Sequence, residues 1–288
     1  MTQRGPTAQA SLAHPELLAT TAWLEEALDR PEIRILDVRW RSDGSGLDRY
    51  LQGHIPGAVY LDPLASLTEQ DDEDGILLLA PPQRVAEALG RVGVGDGTTV
   101  VVYDDIHGYY AARVWWTLRV YGLEACRILD GGFAAWVREG RPVASSLPEV
   151  TPAVFTPRAQ PRLRVTTGDV RGLLAAPDVI FVDARAPAEY RGLEGNTRRL
   201  GHIPGAVNLP AAALDAPGTQ QLRSPAALRG LLQKAGILRG RRLICYDGSG
   251  IAAAKVAFVL FLLGYEDIAL YDGGWADWGM RLDVPVER

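Results

Sequence analysis

Arg242-Leu243-Ile244-Cys245-Tyr246-Asp247-Gly248-Ser249-Gly250-Ile251-Ala252 reads as a strand, a short loop with two glycines, and the first turn of a helix. The helix continues as an apolar run to Leu263. Backbone N–H groups in such a loop converge on one point, and the helix dipole adds positive potential there. The arrangement suits an anion or an activated nucleophile. Here the residue at the head of the loop is an acid, Asp247.

The same unit occurs earlier in the chain. Val101-Val102-Tyr103-Asp104 matches Ile244-Cys245-Tyr246-Asp247, and three more blocks repeat in the same order. Ile35-Leu36-Asp37-Val38-Arg39 recurs as Ile180-Phe181-Val182-Asp183-Ala184-Arg185. Gly53-His54-Ile55-Pro56-Gly57-Ala58-Val59 recurs from Gly201 to Val207, and Leu129-Asp130-Gly131-Gly132 recurs from Tyr271 to Gly274. Two long copies signify a duplicated domain rather than a solenoid.

Within the first copy, Thr20 or Thr21 can cap a helix whose apolar face carries Trp23, Leu24, Ala27 and Leu28. Strands are expected at Ile33–Val38, Ala58–Leu61, Thr99–Tyr103 and Arg127–Leu129, and helices at Pro82–Val92, Ala111–Tyr121 and Phe133–Glu139. Arg41–Gly53 reads as a polar loop and Leu67–Leu79 as an acidic one, with Asp71, Asp72, Glu73 and Asp74 together. Alternating strands and helices imply an α/β chain with mostly parallel sheets. Ligands in such folds sit beyond the carboxyl ends of the strands, where the loops at Asp104 and Asp247 begin. Pro148, Pro152, Pro157 and Pro161 mark a linker between the copies.

Composition narrows the function classes. The chain has 288 residues, 47% hydrophobic and 23% charged, with a formal net charge of −5. That balance gives no reason to expect nucleic acid or an anionic membrane as partner. Met1 to Ala13 has no apolar segment of the targeting kind, and Val256–Gly264 is too short to span a bilayer, which needs about 20 residues. It reads instead as a fully buried helix. Two cysteines, Cys126 and Cys245, make no disulfide framework, so a cytoplasmic, reducing location is expected. Four histidines and two cysteines lie scattered without metal-ligand spacing, and neither a dinucleotide fingerprint nor a P-loop is present, so no metal or cofactor is expected.

At its repeated blocks the chain resembles the tandem-domain rhodanese family, the thiosulfate and 3-mercaptopyruvate sulfurtransferases. Tyr50-x-x-Gly53-His54-Ile55-Pro56-Gly57-Ala58 is similar to the family's N-terminal motif. Tyr271-Asp272-Gly273-Gly274-Trp275-x-Asp277-Trp278 is similar to its C-terminal motif, with Asp277 where Glu is more usual, and Val114-Trp115-Trp116 also fits. The resemblance runs from about Leu17 to Trp278. It implies two tandem rhodanese-like domains, each a mostly parallel sheet flanked by helices. The expected division is a non-catalytic domain at 1–145, a proline-rich linker at 146–164, and a second domain at 165–288 with the active-site loop at 247–252.

The family reaction implied is double displacement. A cysteine thiolate takes sulfur from a small anionic donor and passes it to cyanide, a thiol or a protein acceptor. The family's first domain carries Asp at the loop head, as Asp104 does here; its second carries the cysteine. The mercaptopyruvate type reads Cys-Gly-Ser-Gly-Val-Thr, and the aligned residues are Asp247-Gly248-Ser249-Gly250-Ile251-Ala252. Gly248, Gly250, Ile251 and Ala252 would then line the substrate site. A carboxylate cannot form a stable persulfide, and it puts negative charge where the donor should rest. The resemblance therefore implies a sulfurtransferase with weakened or lost activity; the alternative is a non-catalytic relative that binds a small anion or a protein partner. Asp247 has three readings: a structural acceptor of loop N–H bonds, a base or nucleophile of altered chemistry, or a replaced catalytic cysteine.

Other residues have competing readings. Cys245 lies two residues before Asp247, inside the strand, where it reads as a small core hydrophobe rather than a substitute nucleophile. By resemblance Arg185 and Arg191 bind the donor's anionic group, for which guanidinium is well shaped; the competing reading pairs them with Glu189, Glu194 or Asp247. Arg198 and Arg199 add positive charge on the same loop. Ser249 matches the serine of a Ser-His-Asp relay proposed in the family, with His54 as the histidine and Asp43 or Asp48 as the acid. The competing reading is structural, because His202 holds the same place in the second copy. His107 has no evident role.

Overall fold

The computed structural model describes residues 11–70 and 76–288. The acidic run Asp71 to Asp74 and the first ten residues, with the expectation of no targeting segment there, lie outside the described residues.

The first half contains β1 (Leu18–Ala19), α1 (Thr21–Glu26), β2 (Ile33–Asp37), α2 (Gly46–Gln52), β3 (Val59–Tyr60), α3 (Pro63–Leu67), β4 (Thr68–Gln70), β5 (Leu77–Leu79), α4 (Pro82–Arg91), β6 (Thr99–Tyr103), α5 (Tyr109–Val120), β7 (Cys126–Leu129) and α6 (Gly132–Arg138). The second contains β8 (Arg164–Val165), α7 (Thr167–Leu173), β9 (Val179–Asp183), α8 (Pro187–Tyr190), β10 (Val207–Asn208), α9 (Pro225–Lys234), β11 (Arg242–Tyr246), α10 (Ile251–Leu262), β12 (Ile268–Tyr271) and α11 (Gly274–Trp278). One parallel sheet has the order β1-β7-β6-β2-β3 and the other β8-β12-β11-β9-β10, so the sequence repeat is a repeat of topology. The central strands β6 and β11 are almost wholly buried, as their continuous apolar runs require.

Two expectations are corrected. Arg41–Gly53 is not all loop, because Gly46–Gln52 is helical. Tyr50 anchors that helix, donating its hydroxyl to Ala58 O at 2.8 Å. The Leu67–Leu79 segment is not all loop either: β4 and β5 pair antiparallel, Thr68 opposite Leu79. The first helix is capped as read, with Thr20 Oγ1 accepting from Trp23 N at 3.1 Å.

The two halves meet through α5 and α10. The latter is buried from Ala253 to Leu260, which explains why it is apolar on every side. Trp115 of α5 meets Phe258 of α10 edge-on, with ring centroids 5.0 Å apart. Replacing Phe258 with Ala removes a buried ring at this seam and should lower the unfolding free energy by about 3–5 kcal/mol. Urea denaturation of the variant measures it; a loss under ~1 kcal/mol would show that the seam does not hold the halves together.

Candidate active site

The site begins at the carboxyl end of β11. Asp247 follows the last strand residue, and the chain turns through Gly248, Ser249 and Gly250 before α10 starts at Ile251. Gly250 has φ 76°, a left-handed conformation that glycine adopts without strain. The loop is held from below. Asp247 O accepts from Trp275 N at 2.6 Å and Gly248 O from Ala276 N at 3.0 Å. This close approach demands Gly274, where a Cβ would sit 2.5 Å from Asp247 O.

The Asp247 side chain lies inside its own loop, 6% exposed. Its Oδ2 accepts from Ala252 N at 3.1 Å, and the amides of Ala253, Gly250 and Ser249 also favour the charged carboxylate. Oδ1 is buried without a hydrogen bond. Burial raises the carboxyl above its ordinary range, and the loop amides only partly offset this. Asp104 is better satisfied in the first copy. Its Oδ1 accepts from Ile106 N at 2.9 Å and Gly108 N at 2.8 Å, and its Oδ2 from Ala111 N at 3.0 Å.

Ser249, Gly248, Ile251 and Ala252 line the loop and are partly exposed. The other expected residues do not join them. Arg185 donates from Nε and Nη2 to Asp183, the shortest distance being 2.6 Å, and from Nη2 to Gly201 O at 2.7 Å. It is buried and lies 4.4 Å from the Trp275 ring centroid. Arg39 repeats the arrangement with Asp37, Gly53 O and Phe133 in the first copy. The Arg185 guanidinium is thus a strut tying a strand end to a turn, with Nε and Nη2 already committed to Asp183 and Gly201 O. The Arg191 backbone N–H donates to Pro187 O at 3.2 Å, while its side chain is exposed and makes no hydrogen bond or ion pair among the described residues. Arg198 is likewise exposed, whereas Arg199 donates to the carbonyls of Arg281 and Val284.

The expected relay is not assembled. His54 is fully buried, stacks on Tyr50 with centroids 4.0 Å apart, and donates from Nδ1 to Tyr50 O at 2.8 Å. His202 does the same with Tyr190. Both histidines are turn fasteners. Asp43 and Asp48 lie on the surface, Asp43 accepting from Ser45 N. Cys245 sits in β11 between Val182 and Leu270, fully buried, and Cys126 is equally buried. Burial pushes both thiols far above their ordinary range, which leaves neither reactive.

The histidine that reaches the cleft is His107. It is the one non-glycine with positive φ among the described residues, at 57°. Its backbone N–H donates to Gln220 Oε1 at 2.9 Å, and its Nδ1 to Asp215 Oδ2 at 2.8 Å. Asp215 also accepts from Lys255 Nζ at 2.5 Å. Tyr109 stands between the two loops; burial first, then the charges of Asp215, Asp104 and Asp247, push its phenol up to about 12. Of these three carboxylates, Asp215 is paired with Lys255 and His107, and Asp104 and Asp247 are each held within their own loops. One signal for this cluster was available: Lys255 interrupts an otherwise apolar helix.

A family model described as a rhodanese-like domain matches residues 20–139 and 166–281. The chain belongs to the rhodanese family. It is 35% identical to the 3-mercaptopyruvate sulfurtransferase of Homo sapiens, over 94% of this chain and 95% of that one. It is 33% identical to the thiosulfate sulfurtransferase of Rattus norvegicus, over 92% of each. The rhodanese fold of SseA, a 3-mercaptopyruvate sulfotransferase from Escherichia coli, superposes with a TM-score of 0.81 at 32% identity, covering 90% of this chain and 98% of that structure. The two rhodanese folds here are α/β units with mostly parallel sheets flanked by helices.

Asp130, at the end of β7, supplies a pH test of this interface. Burial pushes its carboxyl up to about 6; Leu222 N–H and Lys255 oppose the rise, and Asp215 adds to it. Because the folded value lies above the ordinary 3.8, this residue's favourable contribution is complete below about pH 4 and is lost as pH rises toward 6. Asp130→Asn keeps an oxygen for Leu222 N–H and should melt higher than the parent at pH 7, with a flatter profile between pH 4 and 6. Parallel melting curves across that range would contradict the assignment.

Proposed function

We propose that this chain is built as a sulfurtransferase of the thiosulfate/3-mercaptopyruvate class in which persulfide formation is lost. The observation that carries the reading is the Asp247 carboxylate inside the loop's ring of amides, with both cysteines buried. In that class a thiolate at the loop head attacks the donor's sulfur and holds it as a persulfide for a thiol, cyanide or protein acceptor. The proposed domain division remains 1–145, 146–164 and 165–288, with the loop 247–252 as the site. Gly248, Ser249, Gly250, Ile251 and Ala252 would surround the reacting sulfur. Arg191, exposed and free, is the better candidate for a donor's anionic group than Arg185, which is engaged by Asp183.

A second reading, a non-catalytic protein that binds a partner, is favoured by the same filled loop. Between its two ligand classes, a small anion is the poorer fit, because the Asp247 carboxylate already fills the loop. A cytoplasmic location is proposed from the two unpaired cysteines. No helix among the described residues is long and apolar enough to cross a membrane.

The test is sulfur release from 3-mercaptopyruvate and from thiosulfate, comparing the parent with Asp247→Cys and Cys245→Ala. The parent should be inert, with Asp247→Cys raising turnover by at least about a hundredfold. Brisk turnover by the parent, abolished in Cys245→Ala, would overturn the proposal.

A further inference from the structure

Of two cations in equivalent places, Arg113 forms its ion pair across the interface and Lys255 forms its own within the second half. Arg113 on α5 and Lys255 on α10 occupy the same place in the repeat, 142 positions apart, as do Asp130 and Asp272 and likewise Gly108 and Gly250. Lys255 does not take the place its counterpart suggests. It turns to Asp215, leaving Asp130 with the Leu222 amide. Arg113, 1% exposed, instead reaches from the first half into the second. Its Nη2 donates to Asp272 Oδ1 at 2.6 Å, and its Nη1 to Gly250 O at a long 3.4 Å. Its guanidinium carbon lies 4.5 Å from the Trp116 ring centroid.

These contacts reach the Gly250 end of the Asp247 loop directly and the Asp247–Gly248 end through the segment that Asp272 begins. Gly250 closes the loop, and a Cβ there would lie 2.7 Å from Arg113 Nη1 and 3.3 Å from Asp272 O. Asp272 opens the segment whose Trp275 and Ala276 amides bind the carbonyls of Asp247 and Gly248. Asp272 is itself fully engaged, accepting at Oδ2 from Leu79 N at 2.7 Å and from Arg164 Nε at 3.0 Å. The first-copy loop at Asp104 lacks the equivalent clamp, because Lys255 is diverted.

We propose that Arg113 is a positioning residue for the 247–252 loop: the first domain supplies the buried guanidinium that fixes the second domain's loop amides and biases them toward an anion. The inference rests on the reading of that loop as the family's active-site loop. It assigns the first domain a part in the site besides packing.

The test uses the Asp247→Cys protein, in which the loop carries a thiol whose ionisation reports the amides and the local potential. The readout is the pH dependence of alkylation by iodoacetamide, followed by intact mass with thermal melting alongside. Arg113→Gln in this background should move the midpoint of the alkylation pH profile up by about one unit. Arg113→Lys, which keeps the charge and is the safer fold, should move it up by about half a unit by losing the two-pronged contact. Arg164→Gln, which removes the other cation on Asp272 without touching Gly250, should move it by less than about 0.3 unit. Unchanged alkylation in both folded Arg113 variants would overturn the proposal, and so would an equal effect in Arg164→Gln. No sulfur donor is involved, so an Asp247→Cys protein that fails to turn over still gives a decisive result here.

Discussion

The carbonyls of Asp247 and Gly248 are tied to the amides of Trp275 and Ala276, and the shape of the site follows from that pair of bonds. With the carbonyls held below, the loop's own N–H groups are free to turn upward and inward. The left-handed turn at Gly250 then launches α10 with its first amides facing the same point. Gly274 permits the close approach, and Asp272 and Arg113 hold the flanks. A ring of buried amides needs an acceptor, and the positive potential they share with the helix N-terminus favours a negative one. Here the chain supplies it from the head of the loop.

Duplication explains both what the copies share and where they part. Each has a buried Asp–Arg strut at a strand end, a His stacked on Tyr at a turn, and an acid at the head of the central loop. They part at the shared seam. Asp104 has three well-made bonds and Asp247 only one, so the first loop is closed more completely than the second. Arg113 and Lys255, equivalent in sequence, have different partners. The second loop is thus the one left with an unsatisfied carboxylate oxygen and a contact from its neighbour.

The repeat made the alternation of strands and helices, the mostly parallel sheets and the burial of α10 legible, because each rests on runs of apolar residues, whereas the strand order was not legible. The site was legible at Asp247 and its glycines, whose roles are local. It was not legible at Arg185 or His54. Both residue types can recognise ligands, and only their short-range partners, Asp183 and Tyr50 O, show that they are occupied. The histidine that does reach the cleft, His107, depends on Asp215 from a segment 108 residues away, which no local pattern encodes. α2 was missed because its helical character comes from Tyr50 packing under Ala58 rather than from a clear apolar stripe.

The central claim is that the Asp247 side chain occupies the anion seat of its own loop. Calorimetric titration with thiosulfate tests it most directly, comparing the parent with Asp247→Ala, in which the seat is emptied and the glycines and Arg113 are untouched. Thiosulfate should show no measurable binding to the parent and clear one-site binding to the variant. Equal binding to both proteins would mean that the carboxylate does not block the seat.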